Sequence, residues 1–169
     1  MLSGYSRALE LGATVLVKMD ADNQMDPAYL PRLLSPVLCG TADYAKGNRF
    51  VDVEKILRMP AGRRMGNLGL SLMTKAASGY WNIFDPTNGF TALDAEVFRR
   101  LDQRRIHRRY FFESSLLIEL SIHRAVVQDV NIPARYAGEV SSLSISRVLL
   151  EFPWLLERPL PLRCERQIR

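Results

Sequence analysis

Asp20, Asp22 and Gln24 stand at alternate positions at the end of an apolar run, in the stretch VLVKMDADNQMDP (15–27). In an extended backbone, residues i, i+2 and i+4 point to one side, so three oxygen-bearing side chains converge on one point. Carboxylates held that close repel unless a cation neutralises them, and hard oxygen donors suit Mg²⁺ or Mn²⁺. A calcium loop of EF-hand type also begins D-x-D-x-[DN]. It needs Gly at its sixth position and Glu at its twelfth, where Met25 and Pro31 stand, so that reading fails. An aspartyl-nucleophile phosphatase can carry D-x-D after a strand. It wants a small hydroxyl or β-branched residue in place of Gln24 and a second acidic motif, which is not found. A third chemistry is a nucleotide-sugar site, where the carboxylates hold a cation that bridges a diphosphate and neutralises the leaving group. The plainest alternative is that Asp-x-Asp only caps the helix that follows.

The elements that must hold these residues alternate. Residues 3–11 read as a short helix with Ser3 at its N-cap and Gly12 beyond its end, followed by strand 14–19. Pro27 suits a first helical turn, and Tyr29, Leu30, Leu33, Leu34 and Val37 form a stripe that Gly40 ends. Residues 42–50 read as a strand entering a loop, and 63–78 as a helix. FDPTNGFTAL (84–93) is turn-rich, with Asp85-Pro86 and Asn88-Gly89 as breakers. Asp94 caps a helix over 95–101. A helix over 111–124, a strand over 125–133 and an amphipathic helix over 144–157 complete the chain. Alternating helices and strands predict an α/β fold. An open α/β sheet builds its site from the carboxyl ends of several adjacent strands. Here a helix feeds directly into the carboxylate-bearing strand, so the expectation is that an N-terminal part of the ancestral domain is missing.

The 169 residues are one domain's worth of chain. No apolar run reaches the roughly 18–20 residues that span a bilayer. Cys39 and Cys164 lack metal-ligand spacing and any secretory context, which points to a reduced, cytoplasmic compartment. The net charge of +5 sits in the second half: residues 1–98 hold ten basic and ten acidic side chains, whereas 99–169 hold thirteen Arg and eight acids. Arg-rich surfaces bind phosphate in nucleic acids, membranes or small substrates. Neither His107 nor His123 sits in a recognisable site.

Five segments in order (VKMDADNQMDP, AKGNRF, RRMGNLGLSLMTKAASG, FDPTNGFTAL and VNIPARYAGEVSSLS) resemble glycosyltransferase family 2, and within it the polyprenyl-phosphate sugar transferases typified by dolichyl-phosphate mannose synthase. The resemblance runs from about residue 3 to residue 150. It implies a GT-A fold, that is, a Rossmann-like mixed α/β sheet flanked by helices, here N-terminally incomplete, over residues 1–143. A basic amphipathic segment, 144–169, would follow as a membrane-interface helix. It implies inverting transfer of a sugar from a GDP- or UDP-sugar to a polyprenyl phosphate, with Mg²⁺ or Mn²⁺, at the membrane surface and without nucleic acid.

Residue by residue, the resemblance makes Asp20, Asp22 and Gln24 the metal ligands, with Asp22 also at the donor diphosphate. Arg135 matches a loop that closes over the donor phosphates. Arg49, Arg64 and Asn67 match acceptor-phosphate positions, and Thr87, Asn88 and Gly89 the acceptor loop. Asp85 joins Asp20 and Asp22 as a catalytic position. The P-x-Y-N-E segment that grips the nucleotide base has no counterpart here. Two rivals stay open. One is a family 2 transferase acting on a sugar hydroxyl, with Asp85 or Glu113 as base. The other is a non-catalytic basic module in which Arg-rich stretches such as RRLDQRRIHRRY (99–110) bind phosphate or membrane by charge alone.

Overall fold

The run Val15–Lys18 forms β1, with Leu16 turned into the interior and Val17 outward, as period-two alternation requires. The computed structural model describes residues 1–21, 24–49, 61–108 and 111–133, apart from the side chains of 61–64 and 67. Asp22, Arg135, the side chains of Arg64 and Asn67, the 144–157 helix and the division at 143/144 lie outside the described residues.

Helix α1 spans Leu2–Glu10, one residue earlier than expected, with Met1 rather than Ser3 at the N-cap and no side-chain cap. Gly12 follows at φ +82°, a left-handed turn that glycine takes without steric cost. Asp26 accepts a hydrogen bond from Ala28 N at 3.0 Å and starts a 3₁₀ turn, Pro27–Tyr29, which runs into α2, Leu30–Leu38. Strand β2 spans Tyr44–Asn48, and α3 spans Ala61–Ser78.

The expected turn-rich segment 84–93 contains more than turns: Thr91–Asp94 is strand β3. Asp94 then caps α4, Ala95–Arg100, by accepting from Val97 N at 2.9 Å. Helix α5, Phe112–Ile122, and strand β4, Val127–Asn131, lie within their expected spans.

The four strands form one mixed sheet in the order β1-β3-β2-β4. Strand β3 runs antiparallel to both β1 and β2, while β2 and β4 are parallel. Among the described residues β1 is an edge strand. The sheet separates two apolar clusters. On one face Tyr5 of α1 and Phe112, Leu116, Leu117 and Leu120 of α5 meet Leu16, Leu93, Tyr44 and Val127. On the other, Leu33 and Val37 of α2 meet Ala45, Ala92 and Val130. Helix α3 packs on α5 through Leu70, Ala77 and Ile118.

Candidate functional site

The registers Leu16↔Leu93↔Tyr44↔Val127 make one apolar row across the sheet. Two residues further towards the carboxyl ends of β1, β2 and β4, the same face carries Lys18, Thr91, Lys46 and Asp129, again in direct register. Lys46 is fully buried and Lys18 nearly so. A buried ammonium is costly without partners. Lys46 Nζ donates to Asn88 O at 2.5 Å. Lys18 Nζ lies 2.5 Å from Glu113 Oε1 at the start of α5 and 2.7 Å from Asp20 Oδ1.

Asp20 is therefore held by Lys18 of the strand that precedes it, and Lys18 is itself anchored by Glu113 of the facing helix. A second restraint comes from Gly89: a Cβ built there would fall 1.9 Å from Asp20 Oδ2 and 2.4 Å from Lys18 Nζ. A side chain at position 89 would have to push aside the ends of Asp20 and Lys18, so glycine lets the 84–90 loop lie against this carboxylate.

The other end of that loop carries Asp85, whose carboxylate is fully buried. Arg49 Nε donates to Asp85 Oδ2 at 2.7 Å and Nη2 to Oδ1 at 3.2 Å, a side-on, two-point pair. Thr87 Oγ1 also donates to Asp85 Oδ1, at 3.2 Å. Asn88 ties the loop to β2: its Nδ2 donates to Gly47 O at 2.6 Å and its Oδ1 accepts from Phe90 N at 3.1 Å. Gly47 is itself confined, because a Cβ there would meet Asn88 Nδ2 at 2.9 Å and Phe90 O at 3.2 Å.

Burial and neighbouring charge pull these groups in different directions. Burial lowers the Lys46 ammonium to about 8, against the opposing pull of Glu113 and Asp85. Burial would lower Lys18 too, but Glu113 and then Asp20 outweigh it and raise its pKa. Burial pushes the Asp129 carboxyl up to about 6, against a hydrogen bond that its Oδ2 accepts from Phe84 N at 2.8 Å. Its Oδ1 is buried with no hydrogen-bond partner among the described residues.

The structure thus brings Asp20, Arg49, Asp85, Thr87, Asn88 and Gly89 to one end of the sheet. Gln24 lies half-buried just before the 3₁₀ turn. Among the described residues no group of three His, Cys, Asp or Glu gathers as a metal cluster. The Asp20 carboxylate, 43% exposed, and the Gln24 amide are nonetheless oxygen donors of the kind a hard divalent ion takes, and so fit Mg²⁺ or Mn²⁺. The sequence reading missed Lys18, Lys46 and Asp129. Its available signal was a charged residue two positions after an inward apolar one in each strand.

No protein-family model matches the sequence. The chain is 28% identical over 151 residues to a UDP-N-acetylglucosamine–dolichyl-phosphate N-acetylglucosaminyltransferase of Methanococcus voltae, covering 89% of this chain and 59% of that protein. It is 39% identical over 101 residues to an undecaprenyl-phosphate mannosyltransferase of Micrococcus luteus, covering 60% and 40%. With a polyprenol monophosphomannose synthase of Mycolicibacterium smegmatis it shares 33% identity over 116 residues, covering 68% and 43%. The chain thus spans between 40% and 59% of the length of these relatives.

Its fold matches crystal structures of glucosyl-3-phosphoglycerate synthase from Mycobacterium tuberculosis. The TM-score is 0.67 for the complex with phosphoglyceric acid, at 17% identity. It is 0.64 for the complex with Mn²⁺, UDP-glucose and glycerol 3-phosphate, at 18% identity. Both matches cover 94% of this chain and 54% of the other. These are glycosyltransferases of GT-A fold.

Proposed function

We propose that this chain, a GT-A-fold relative of the polyprenyl-phosphate sugar transferases, moves a sugar from a nucleotide-sugar to a polyprenyl phosphate at a membrane surface, with inversion at the anomeric carbon. One observation carries the reading. The five-residue segment 85–89 touches the metal-side carboxylate, Asp20, through Gly89 and holds the guanidinium of Arg49 through Asp85. Residues assigned to the donor and to the acceptor are thereby set by one short loop, and positioning of two reactants is a major source of rate.

Asp20, with Gln24 and Asp22, would hold the divalent cation. When bound, the cation supplies Lewis-acid stabilisation of the leaving nucleoside diphosphate. Lys18 and Gly89 keep the Asp20 carboxylate in one orientation. Asp85 and Thr87 orient Arg49, whose guanidinium, held on its Nε–Nη2 edge by Asp85, would present its charge to the acceptor phosphate. A phosphate monoester is already anionic near neutral pH and attacks without a strong base.

That last point favours phosphate over a sugar hydroxyl as the acceptor. A hydroxyl acceptor needs a carboxylate able to take its proton. Asp85 is fully buried and engaged by Arg49 and Thr87, and the near oxygen of Glu113 is engaged by Lys18.

The test is Arg49→Lys in the full-length protein. Lysine keeps the charge and loses the two-point geometry, so kcat/KM for polyprenyl phosphate should fall at least about tenfold, with donor KM little changed. A rise in donor KM with normal acceptor kinetics would assign Arg49 to the wrong substrate.

A further inference from the structure

Strand β4 ends the sheet among the described residues, and β2 pairs with one of its two edges. Val126 O accepts from Tyr44 N at 3.1 Å, so the carbonyls on either side of it, Ala125 O and Val127 O, point to the other edge. The chain leaving α3 runs along that edge. Gly79, at φ +77°, turns it out of the helix. Tyr80 Oη then donates to Ala125 O at 2.7 Å, Asn82 Nδ2 to Val127 O at 3.0 Å and Phe84 N to Asp129 Oδ2 at 2.8 Å. Both partners advance by two residues at each tie, in the same direction. Residues 80–84 therefore form a strap that ends at the candidate site.

The last tie differs from the other two. Those fasten side chains of the strap to main-chain carbonyls, which any residue of β4 offers. At Phe84 the main chain of the strap is fastened by a side chain of β4, and the acceptor is a carboxylate. The next residue is Asp85, whose carboxylate grips Arg49. At the exit of the loop, Lys46 donates to Asn88 O, and Lys46 stands directly opposite Asp129 in the β2–β4 register. Two neighbours in one row thus fasten the two ends of segment 84–88.

The charges facing Asp129 among the described residues are Asp85 of the loop, Lys46 of β2 and Lys75 of α3. Burial raises its carboxyl to about 6, so it is ionised at neutral pH. A hydrogen bond to an ionised acceptor is roughly twice as strong as one between neutral groups. Ser71 Oγ also reaches the Phe84 carbonyl, at 3.4 Å, a longer bond between neutral groups. We propose that Asp129 is a positioning residue of the site: by holding the Phe84 amide it fixes the entry of the 85–89 loop, and through Asp85 the place of the Arg49 guanidinium that meets the acceptor phosphate. Its consequence for transfer rests on the transferase reading; its hold on the loop does not.

Hydrogen exchange and transfer kinetics at pH 7.5 test the two parts separately. In Asp129→Ala, backbone amides of 84–89 should exchange at least about tenfold faster, while residues 116–120 of α5 exchange as in wild type. Asp129→Asn keeps an oxygen acceptor in place and should restore most of the protection. Asn82→Ala cuts the tie one step upstream and should leave 85–89 unchanged. In transfer assays Asp129→Ala should raise KM for polyprenyl phosphate at least about tenfold with donor KM unchanged, and Asp129→Asn should recover most of that loss. Wild-type exchange of 84–89 in Asp129→Ala overturns the proposal. So does a general loss of protection that Asp129→Asn does not reverse, or an equal effect of Asn82→Ala, since either makes Asp129 one more support of the fold. A rise in donor KM alone overturns the acceptor-side assignment. A wild-type protein that binds nucleotide-sugar and transfers nothing to polyprenyl phosphate sinks the transferase reading, and the exchange comparison still decides whether Asp129 holds the loop.

Discussion

In one row across the sheet face that meets α5, the residues are Leu16, Leu93, Tyr44 and Val127; in the next row they are Lys18, Thr91, Lys46 and Asp129. The two rows share strands, face and covering helix, and both are largely removed from water. The first stabilises by burying apolar area, about 25 cal/mol per Å². The second buries charges, which at best breaks even against an apolar replacement of similar volume. It lies at the end of the sheet where Asp20, Arg49 and Asp85 gather. One sheet face thus divides into an apolar row that stabilises the fold and a charged row beside the candidate site.

The sharpest way to break this division is to truncate the apolar row. Leu93 is fully buried at the sheet centre. Leu93→Ala should lower the unfolding free energy by about 2–5 kcal/mol in urea titration, a large part of a domain's usual 5–15. The residual folded protein should bind Mn²⁺ as wild type does. A metal affinity that fell in step with stability would show the two rows to be one unit.

Gly89→Ala probes the site without touching the core. The added methyl must displace either Asp20 or the loop, since its carbon would lie 1.9 Å from the Asp20 oxygen. A displacement near 1 Å at a reacting centre costs on the order of 10²-fold in rate. Transfer should fall by about that factor, with little loss of stability, because the added methyl meets only the ends of the Asp20 and Lys18 side chains. Near-wild-type turnover would remove the loop from the site.

Lys46→Met has the smallest expected effect and discriminates best. Burial lowers Lys46 to about 8 from the ordinary value of 10.5. Between those values the unfolded chain binds the proton and the folded one does not, so this group makes stability rise with pH from about 8 to about 10. The full gain is about 3 kcal/mol. At pH 7 the variant escapes that charging cost but leaves Asn88 O without its donor, a loss of about 1–3 kcal/mol. Its stability at pH 7 should therefore equal or exceed wild type by up to about 2 kcal/mol. Urea unfolding at pH 7.5 and 9.5 should show a rise for wild type that the variant lacks. Parallel pH profiles would mean that Lys46 is not the buried charge.

Strand β1 and helix α2 were legible in the sequence, because an apolar run rich in β-branched residues marks β1 and a glycine-terminated stripe marks α2. Strand β3 was not. Its four residues follow Asn88-Gly89, a turn signal strong enough to claim the whole segment, and the strand is specified by two neighbours rather than by its own pattern. Asp20, Arg49 and Asp85 were legible as single residues, from motif spacing and resemblance. Their arrangement was not, since the Arg49–Asp85 pair joins positions 36 residues apart and the Lys18–Glu113 pair positions 95 apart. Lys18 and Lys46 read locally as interruptions of strands. Only the register shows that they form a row.

The reversed direction of β3 also sets where the chain tolerates changes in length. Because β3 runs against β1 and β2, the connection that enters it must pass the ends of those strands where Asp20 and Arg49 lie. Residues 85–89 are tied at Gly47, Asp20 and Arg49, so a single inserted residue there shifts every tie at once. At the far end of the sheet, the turn after α2 passes through Gly40 at φ +68° and, among the described residues, its hydrogen bonds run to its own helix end, as from Thr41 N to Pro36 O at 2.9 Å. Lengthening that turn costs little more than loop entropy. Natural length variation in this architecture should therefore collect around residues 39–42 and avoid 85–89.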